Sequence, residues 1–251
     1  MSYIGGKARA SFILEVLNDP LFDGLPYYEC MVGMAHVLRR VRNKRSYYAC
    51  DINPLVVRLL KAIQEGERLP HISKREYQQL KRQTGVVNLR RAVAAFQYSF
   101  NGREFGGYTA TYTRPDGRVD DIIASRRRYY DKLRASPSFQ RARLEVRDYR
   151  TLWPRGAVIY LDPPYAGTTG YGRPFHTDEF WSIVRTWSAH NYVFVSEYSA
   201  PRGFVAIASA HKQMTLAGGD HQASRTERLF VHKSVLARIR ALRRQRHARS
   251  R

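Results

Sequence analysis

Short apolar strands alternate with helix-patterned segments along most of this chain, and two of the strands run straight into an aspartate. Ser46–Cys50 ends at Asp51, and the wholly apolar Ala157–Leu161 ends at Asp162. Upstream, Lys7–Leu17 sets Ala10, Ile13, Leu14 and Leu17 along one helical side. Asp19, Pro20, Asp23, Gly24 and Pro26 then mark a loop. Tyr27–Val32 has the pattern of a strand and Met34–Val41 that of a helix. Asn53 and Pro54 fit the cap and first position of a helix carrying Leu55, Val56, Leu59, Leu60 and Ile63. This order of helix, strand, helix, strand, helix implies a parallel sheet with crossover helices. The pattern returns later, with strands at Leu144–Val146, Tyr192–Ser196, Phe204–Ala208 and Leu229–His232. A helix over Asp178–Ala189 begins with an acidic turn, as the helix dipole favours.

Between the two halves of that pattern the character changes. From about Ile72 to Leu133 the sequence reads as helical and very basic, with a glycine-rich break at Gly102–Gly107 and the aromatics Phe96, Tyr98, Phe100, Phe105, Tyr108 and Tyr112. We expect an inserted subdomain over 71–139, carried by a domain made of 1–70 and 140–235, with a basic tail over 236–251. That tail holds seven arginines from Arg238 to Arg251 and reads as a helix end or a solvated tail. At 251 residues the chain is long enough for a real core, burying roughly 70–75% of its unfolded surface. Lysine and arginine number 43 against 21 acids, a net charge of +22. Such an excess points to a polyanion, with nucleic acid ahead of an anionic membrane surface. Cys30 and Cys50 form no metal-type spacing and read as buried free thiols suited to a reducing cytosol. No apolar run reaches the roughly 18 residues of a membrane span, and the first residues lack the apolar core of a signal peptide. The eight histidines are scattered, and none pairs at metal-ligand spacing, so no metal is expected.

The segment Val158-Ile159-Tyr160-Leu161-Asp162-Pro163-Pro164-Tyr165 carries the most chemistry. In open α/β sheets ligands bind beyond the carboxyl ends of the strands, where Asp162 would stand. The two prolines stiffen the loop and leave carbonyl acceptors without amide donors, and Tyr165 supplies a flat face. The competing reading is a plain turn after a buried strand. Four further stretches belong with this one: Tyr3-Ile4-Gly5-Gly6-Lys7; Glu29-Cys30-Met31-Val32-Gly33-Met34-Ala35; Tyr48-Ala49-Cys50-Asp51-Ile52-Asn53; and Val146-Arg147-Asp148-Tyr149. A phosphate loop does not explain Gly5-Gly6-Lys7, because Ala8 follows and no strand precedes it.

Taken in this order, the motifs resemble those of the Dam-like (D12 class) DNA N6-adenine methyltransferases, over most of the chain. The resemblance implies a Rossmann-like S-adenosylmethionine-dependent methyltransferase sheet with a helical DNA-recognition insertion. It also implies contacts to S-adenosyl-L-methionine from Tyr3, Gly5, Gly6, Lys7, Glu29, Gly33, Asp51, Asp148, Tyr149 and Asp162. Asp51 would accept the ribose hydroxyls, and Asp148 with Tyr149 would lie near the cofactor adenine. The sequence departs from the family at 29–35, where a Pro-Phe pair is missing and Ala35 replaces a glycine. The later segments Tyr192–Tyr198 and Arg225–Phe230 also look like the family and would support the target-base pocket. Within the insertion, Phe100-Asn101-Gly102-Arg103-Glu104-Phe105-Gly106-Gly107 resembles the loop near the duplex, and Asn101 and Arg103 suit base edges. Arg126 and Arg127, with Arg128, Lys74 and Arg75, are candidate phosphate contacts.

The implied reaction is direct methyl transfer to a flipped-out adenine in double-stranded DNA, with Asp162, Pro163, Pro164 and Tyr165 catalytic. The adenine N6 lone pair is delocalised into the ring. A carboxylate that bonds an N6 hydrogen draws the nitrogen toward tetrahedral geometry and localises that pair. Flipping costs a few kcal/mol, and stacking on Tyr165 returns roughly 1–3 kcal/mol. Three rivals stand beside this reading: cytosine N4 methylation, adenine methylation in RNA, and a DNA-binding protein without catalysis.

Overall fold

A computed structural model describes residues 11–114, 116–164, 175–214 and 223–249. Contacts group the described residues into two compact units, one of 32–40 with 49–149 and one of 11–31 with 41–48 and 150–249. In chain order the elements are α1 (Ser11–Leu17), β1 (Pro26–Cys30), β2 (Ser46–Asp51), α2 (Pro54–Gln64), α3 (Lys74–Arg82), α4 (Leu89–Gln97), β3 (Thr111–Thr113) and β4 (Val119–Asp121). They continue with α5 (Ile122–Arg134), α6 (Pro137–Gln140), β5 (Ala142–Val146), β6 (Val158–Leu161), α7 (Thr177–Trp187), β7 (Tyr192–Glu197), β8 (Phe204–Met214), β9 (Ala223–His232) and α8 (Lys233–Arg249).

Seven strands form one sheet in the order β5-β2-β1-β6-β7-β9-β8. Strand β6 pairs in parallel with both β1 and β7, and β9 runs antiparallel to both β7 and β8. The sequence order reverses at β1, as in the doubly wound dinucleotide-binding sheet, and the antiparallel β9 sits between β7 and β8. The fold is therefore mixed α/β with a mostly parallel, Rossmann-like central sheet, as the alternating pattern predicts. Central strands are covered on both faces, which explains their unbroken apolar runs. Val158–Leu161 and Val193–Val195 are all buried.

The first unit holds the end of β2, β5 and the helices between them. Asn53 caps α2 through Oδ1, which accepts from the Leu55 amide at 3.0 Å, with Pro54 opening the helix. Leu55, Val56, Leu59, Leu60 and Ile63 are buried, as their spacing predicts. Ser73, Asn88 and Asp121 cap α3, α4 and α5 in the same way. The expectation of a helical stretch over 72–133, broken only at Gly102–Gly107, is corrected by a hairpin of β3 and β4. Gly117 takes φ +81° at its turn, and the Arg114 amide donates to the Arg118 carbonyl at 2.8 Å. Arg114-Pro115-Asp116-Gly117 carries the turn chemistry that foretells this hairpin.

The helix expected over Met34–Val41 is also absent. Gly33 and Ala35 both take left-handed backbone angles, with φ of 50° and 58°. The Val32 amide donates to the Cys50 carbonyl at 3.0 Å, and only Leu38–Arg40 closes a short 3-10 turn. An alanine in the left-handed region costs about 1–2 kcal/mol. The backbone adopts this angle at Ala35 with a side chain present.

The second unit holds β1, β6–β9, α1, α7 and α8. Asn191 fastens its interior: its side chain accepts from the Ala157 amide and donates to the Pro154 and Trp187 carbonyls. Arg238 of α8 donates to the carbonyls of Ser188, Ala189 and Asn191 at the end of α7. Among the described residues no helix is long and apolar enough to cross a membrane.

Candidate functional site

Asp51 ends β2 in the first unit and is the best-defined of the expected cofactor contacts. The Gly33 amide donates to its Oδ2 at 3.0 Å and the Asn53 amide to its Oδ1 at 2.9 Å. These amides fix the carboxylate plane, and a carboxylate held so remains an acceptor suited to a hydroxyl donor such as a ribose hydroxyl. Burial pushes the Asp51 carboxyl above its ordinary range, against the pull of the Asn53, Gly33 and Ile52 amides. The Arg147 amide donates to the Asp51 carbonyl at 3.0 Å, holding the end of β5 beside the end of β2. Asp148 and Tyr149 follow at once, both half-buried. Gly33, Asp51 and the turn leading to Asp148 are thus brought together.

The turn at Asp51 is also joined to the glycine-rich loop. Asn53 Nδ2 donates to Glu104 Oε2 at 2.6 Å. The loop is closed by its own backbone: the Phe100 amide donates to the Gly107 carbonyl at 2.7 Å, and the Phe105 amide to the Ala95 carbonyl at 3.2 Å. Asn101, Gly102 and Phe105 take positive φ, and a Cβ on Gly106 would lie 2.7 Å from the Cβ of Arg103. A pre-shaped loop results, with Phe100, Asn101 and Arg103 exposed.

Arg127 and Arg128 are exposed on α5, but Arg126 is not. Arg126 is buried and donates to the carbonyls of Phe96, Gln97 and Ser99, closing the end of α4. Its expected phosphate contact is corrected to a structural role. The signal was present in the sequence, because Arg126 lies at helical spacing with the buried Ile123, Tyr130 and Leu133.

In the second unit, Asp162 follows β6 at its carboxyl end, half-buried, with Pro163 buried after it and Pro164 half-buried. Glu29 pairs with Tyr160 across β1 and β6, so the two share a sheet face. Glu29 is buried and accepts the Tyr27 hydroxyl at 2.7 Å. The Tyr160 phenol is buried among polar groups. Burial first, then the charges of Asp162, Glu29 and Glu227, pushes it well above the ordinary tyrosine range, while the Ser196 hydroxyl opposes that shift. Tyr160 therefore stays protonated at neutral pH and serves as a neutral member of an otherwise acidic row. Tyr27 and Tyr160 are neighbours of the expected residues Glu29 and Asp162 that the motifs alone do not single out. The clue was a hydroxyl-bearing side chain two residues before Asp162, hence on its face of the strand. Tyr3, Gly5, Gly6, Lys7 and Tyr165 lie outside the described residues.

The described residues thus form a Rossmann-like α/β sheet with acids at the carboxyl ends of β2 and β6. No family model matches the chain. No curated protein matches it. Among solved structures it is similar to the rRNA methyltransferase aviRa from Streptomyces viridochromogenes, at 13% identity and a TM-score of 0.44, over 94% of this chain and 88% of that one. It is also similar to a Thermoplasma acidophilum protein, at 10% identity and a TM-score of 0.42, over 90% and 88% of the two chains. Neither similarity bears on activity.

Proposed function

We propose that the chain is an S-adenosylmethionine-dependent DNA methyltransferase acting on N6 of adenine. The observation that supports this reading is Asp162, at the carboxyl end of a fully buried parallel strand and opening the sequence Asp-Pro-Pro-Tyr. Asp51, with its carboxylate plane fixed by two amides, suits the ribose hydroxyls of the cofactor. S-adenosyl-L-methionine supplies an activated methyl group when bound.

The chain's own groups do the rest. Asp162 accepts an N6 hydrogen of the flipped adenine and, with the Pro163 carbonyl, localises the nitrogen lone pair. The neutral Tyr160 phenol beside it adds no charge. Tyr165 stacks on the base by the same resemblance. Asn101 and Arg103, exposed on a closed loop, meet the duplex, and Arg127 a phosphate. The contribution asked of the site is mainly positioning, with the reacting atoms held about 3–3.5 Å apart.

The test is transfer of labelled methyl from S-adenosylmethionine to duplex DNA and, separately, to RNA, followed by nucleoside analysis. N6-methyladenine in DNA is the expected product. N4-methylcytosine, product in RNA alone, or no product would each overturn the proposal.

A further inference from the structure

The outward face of α8 is charged in a way the proposed reaction does not use. The helix runs Lys233–Arg249 without a single acidic residue. Val235 and Ile239 are buried and fix which side faces the core. At 100° per residue, Lys233, Arg240 and Arg244 fall on the opposite side, within about 40° of one another. All three are exposed.

Two of its other arginines hold the helix down. Arg238 closes the end of α7, and Arg243 pairs with Asp19 at 2.7 Å. Arg240 and Arg244 have no ion-pair partner among the described residues. Some exposed arginines elsewhere are neutralised, as Arg90 is by Glu76, Arg114 by Asp120, Arg118 by Asp116 and Arg143 by Glu145; on α8, Arg240 and Arg244 fall in line with Lys233 on one face of a helix that has no acid of its own. Like charges four residues apart on a helix repel and destabilise it. Lys233, Arg240 and Arg244 therefore form a cationic line about 16 Å long that costs stability unless a polyanion covers it. A nucleic-acid duplex carries one negative charge per about 1.7 Å, and the chain's net charge of +22 favours such an approach over its whole surface.

We infer that the outer face of α8 docks a nucleic-acid backbone, through residues other than those proposed to act on the base. The choice of nucleic acid rather than an anionic membrane rests on the proposed function. The face makes phosphate contacts without reading sequence, so its effect is one of affinity and salt dependence.

The experiment compares duplex DNA binding by the natural protein with Arg240→Gln/Arg244→Gln, by fluorescence anisotropy over a range of salt without cofactor. A charge-matched variant, Lys61→Gln/Arg68→Gln, alters two other exposed cations. All three proteins are first matched by thermal midpoint. The slope of log K against log salt falls in magnitude by about 1.8 in the α8 variant, at about 0.9 for each phosphate no longer neutralised, and by less than about 0.5 in the control. An unchanged slope, or an equal fall in the control, overturns the inference. So does an α8 variant that loses binding to phosphatidylserine vesicles while keeping its slope on DNA. Absence of methyl transfer beside the expected slopes would sink the reaction alone, and unchanged slopes beside intact methyl transfer would sink the docking face alone.

Discussion

At the scale of single residues, charge and burial decide which basic and polar groups are free to act. Arg126 illustrates this. Its guanidinium is spent on three carbonyls at the end of α4, so its loss leaves buried acceptors unmet. Arg126→Met should lower stability by about 2–4 kcal/mol, whereas Arg127→Gln should stay within about 0.5 kcal/mol; urea denaturation distinguishes them. His36 gives the clearest pH signature. It is buried against Tyr129, with ring centroids 4.6 Å apart, and burial, then Arg39 and Arg40, lowers its pKa to about 4. A depressed pKa means stability that is complete above about 6.5 and lost as pH falls toward 4, up to about 3 kcal/mol. Urea midpoints at pH 7 and 4.5 should show that loss, and His36→Phe should remove most of it. Asp51 has the opposite sign: its raised pKa contributes stability at low pH that disappears as pH rises through its folded value.

At the scale of elements, regular pieces were legible and irregular ones were not. The Asn53 cap, the apolar stripe of α2 and the buried run of β6 follow directly from local chemistry and periodicity. The ends of β2 and β6 placed Asp51 and Asp162 correctly for the same reason. The segment after β1 defeated the periodicity argument because its apolar residues serve a left-handed turn at Gly33 and Ala35. The hairpin of β3 and β4 was hidden because its strands are three residues each and lie exposed, so they carry no inside-outside alternation. The charge of Arg126 suggests a phosphate contact, but its place on the buried stripe of α5 decides its role. The acidic surroundings of Tyr27 and Tyr160 are not legible because a tyrosine in a buried strand reads as apolar until its neighbours across the sheet are known. Asn191 shows how one side chain can hold several elements. Asn191→Ala strands the Ala157 amide and the Pro154 and Trp187 carbonyls, and should cost about 2–4 kcal/mol in the same denaturation assay.

At the scale of the molecule, a Rossmann-like sheet presents carboxylates at the ends of its strands, and a net charge of +22 surrounds them. In the proposed function the charge favours a polyanionic substrate and raises encounter rates, while the sheet ends supply the specific acceptors. These two levels act independently. Removing cations should weaken nucleic-acid binding in a salt-dependent way, and removing a strand-end carboxylate should spare that binding while stopping chemistry. The central claim is that Asp162 performs that chemistry. The most direct test measures N6-methyladenine formed in duplex DNA at saturating S-adenosylmethionine by the natural protein and by Asp162→Ala. The account predicts N6-methyladenine from the natural protein, and for the variant a rate at least about 100-fold lower with DNA affinity unchanged. An Asp162→Ala protein that methylates adenine at the natural rate would contradict it.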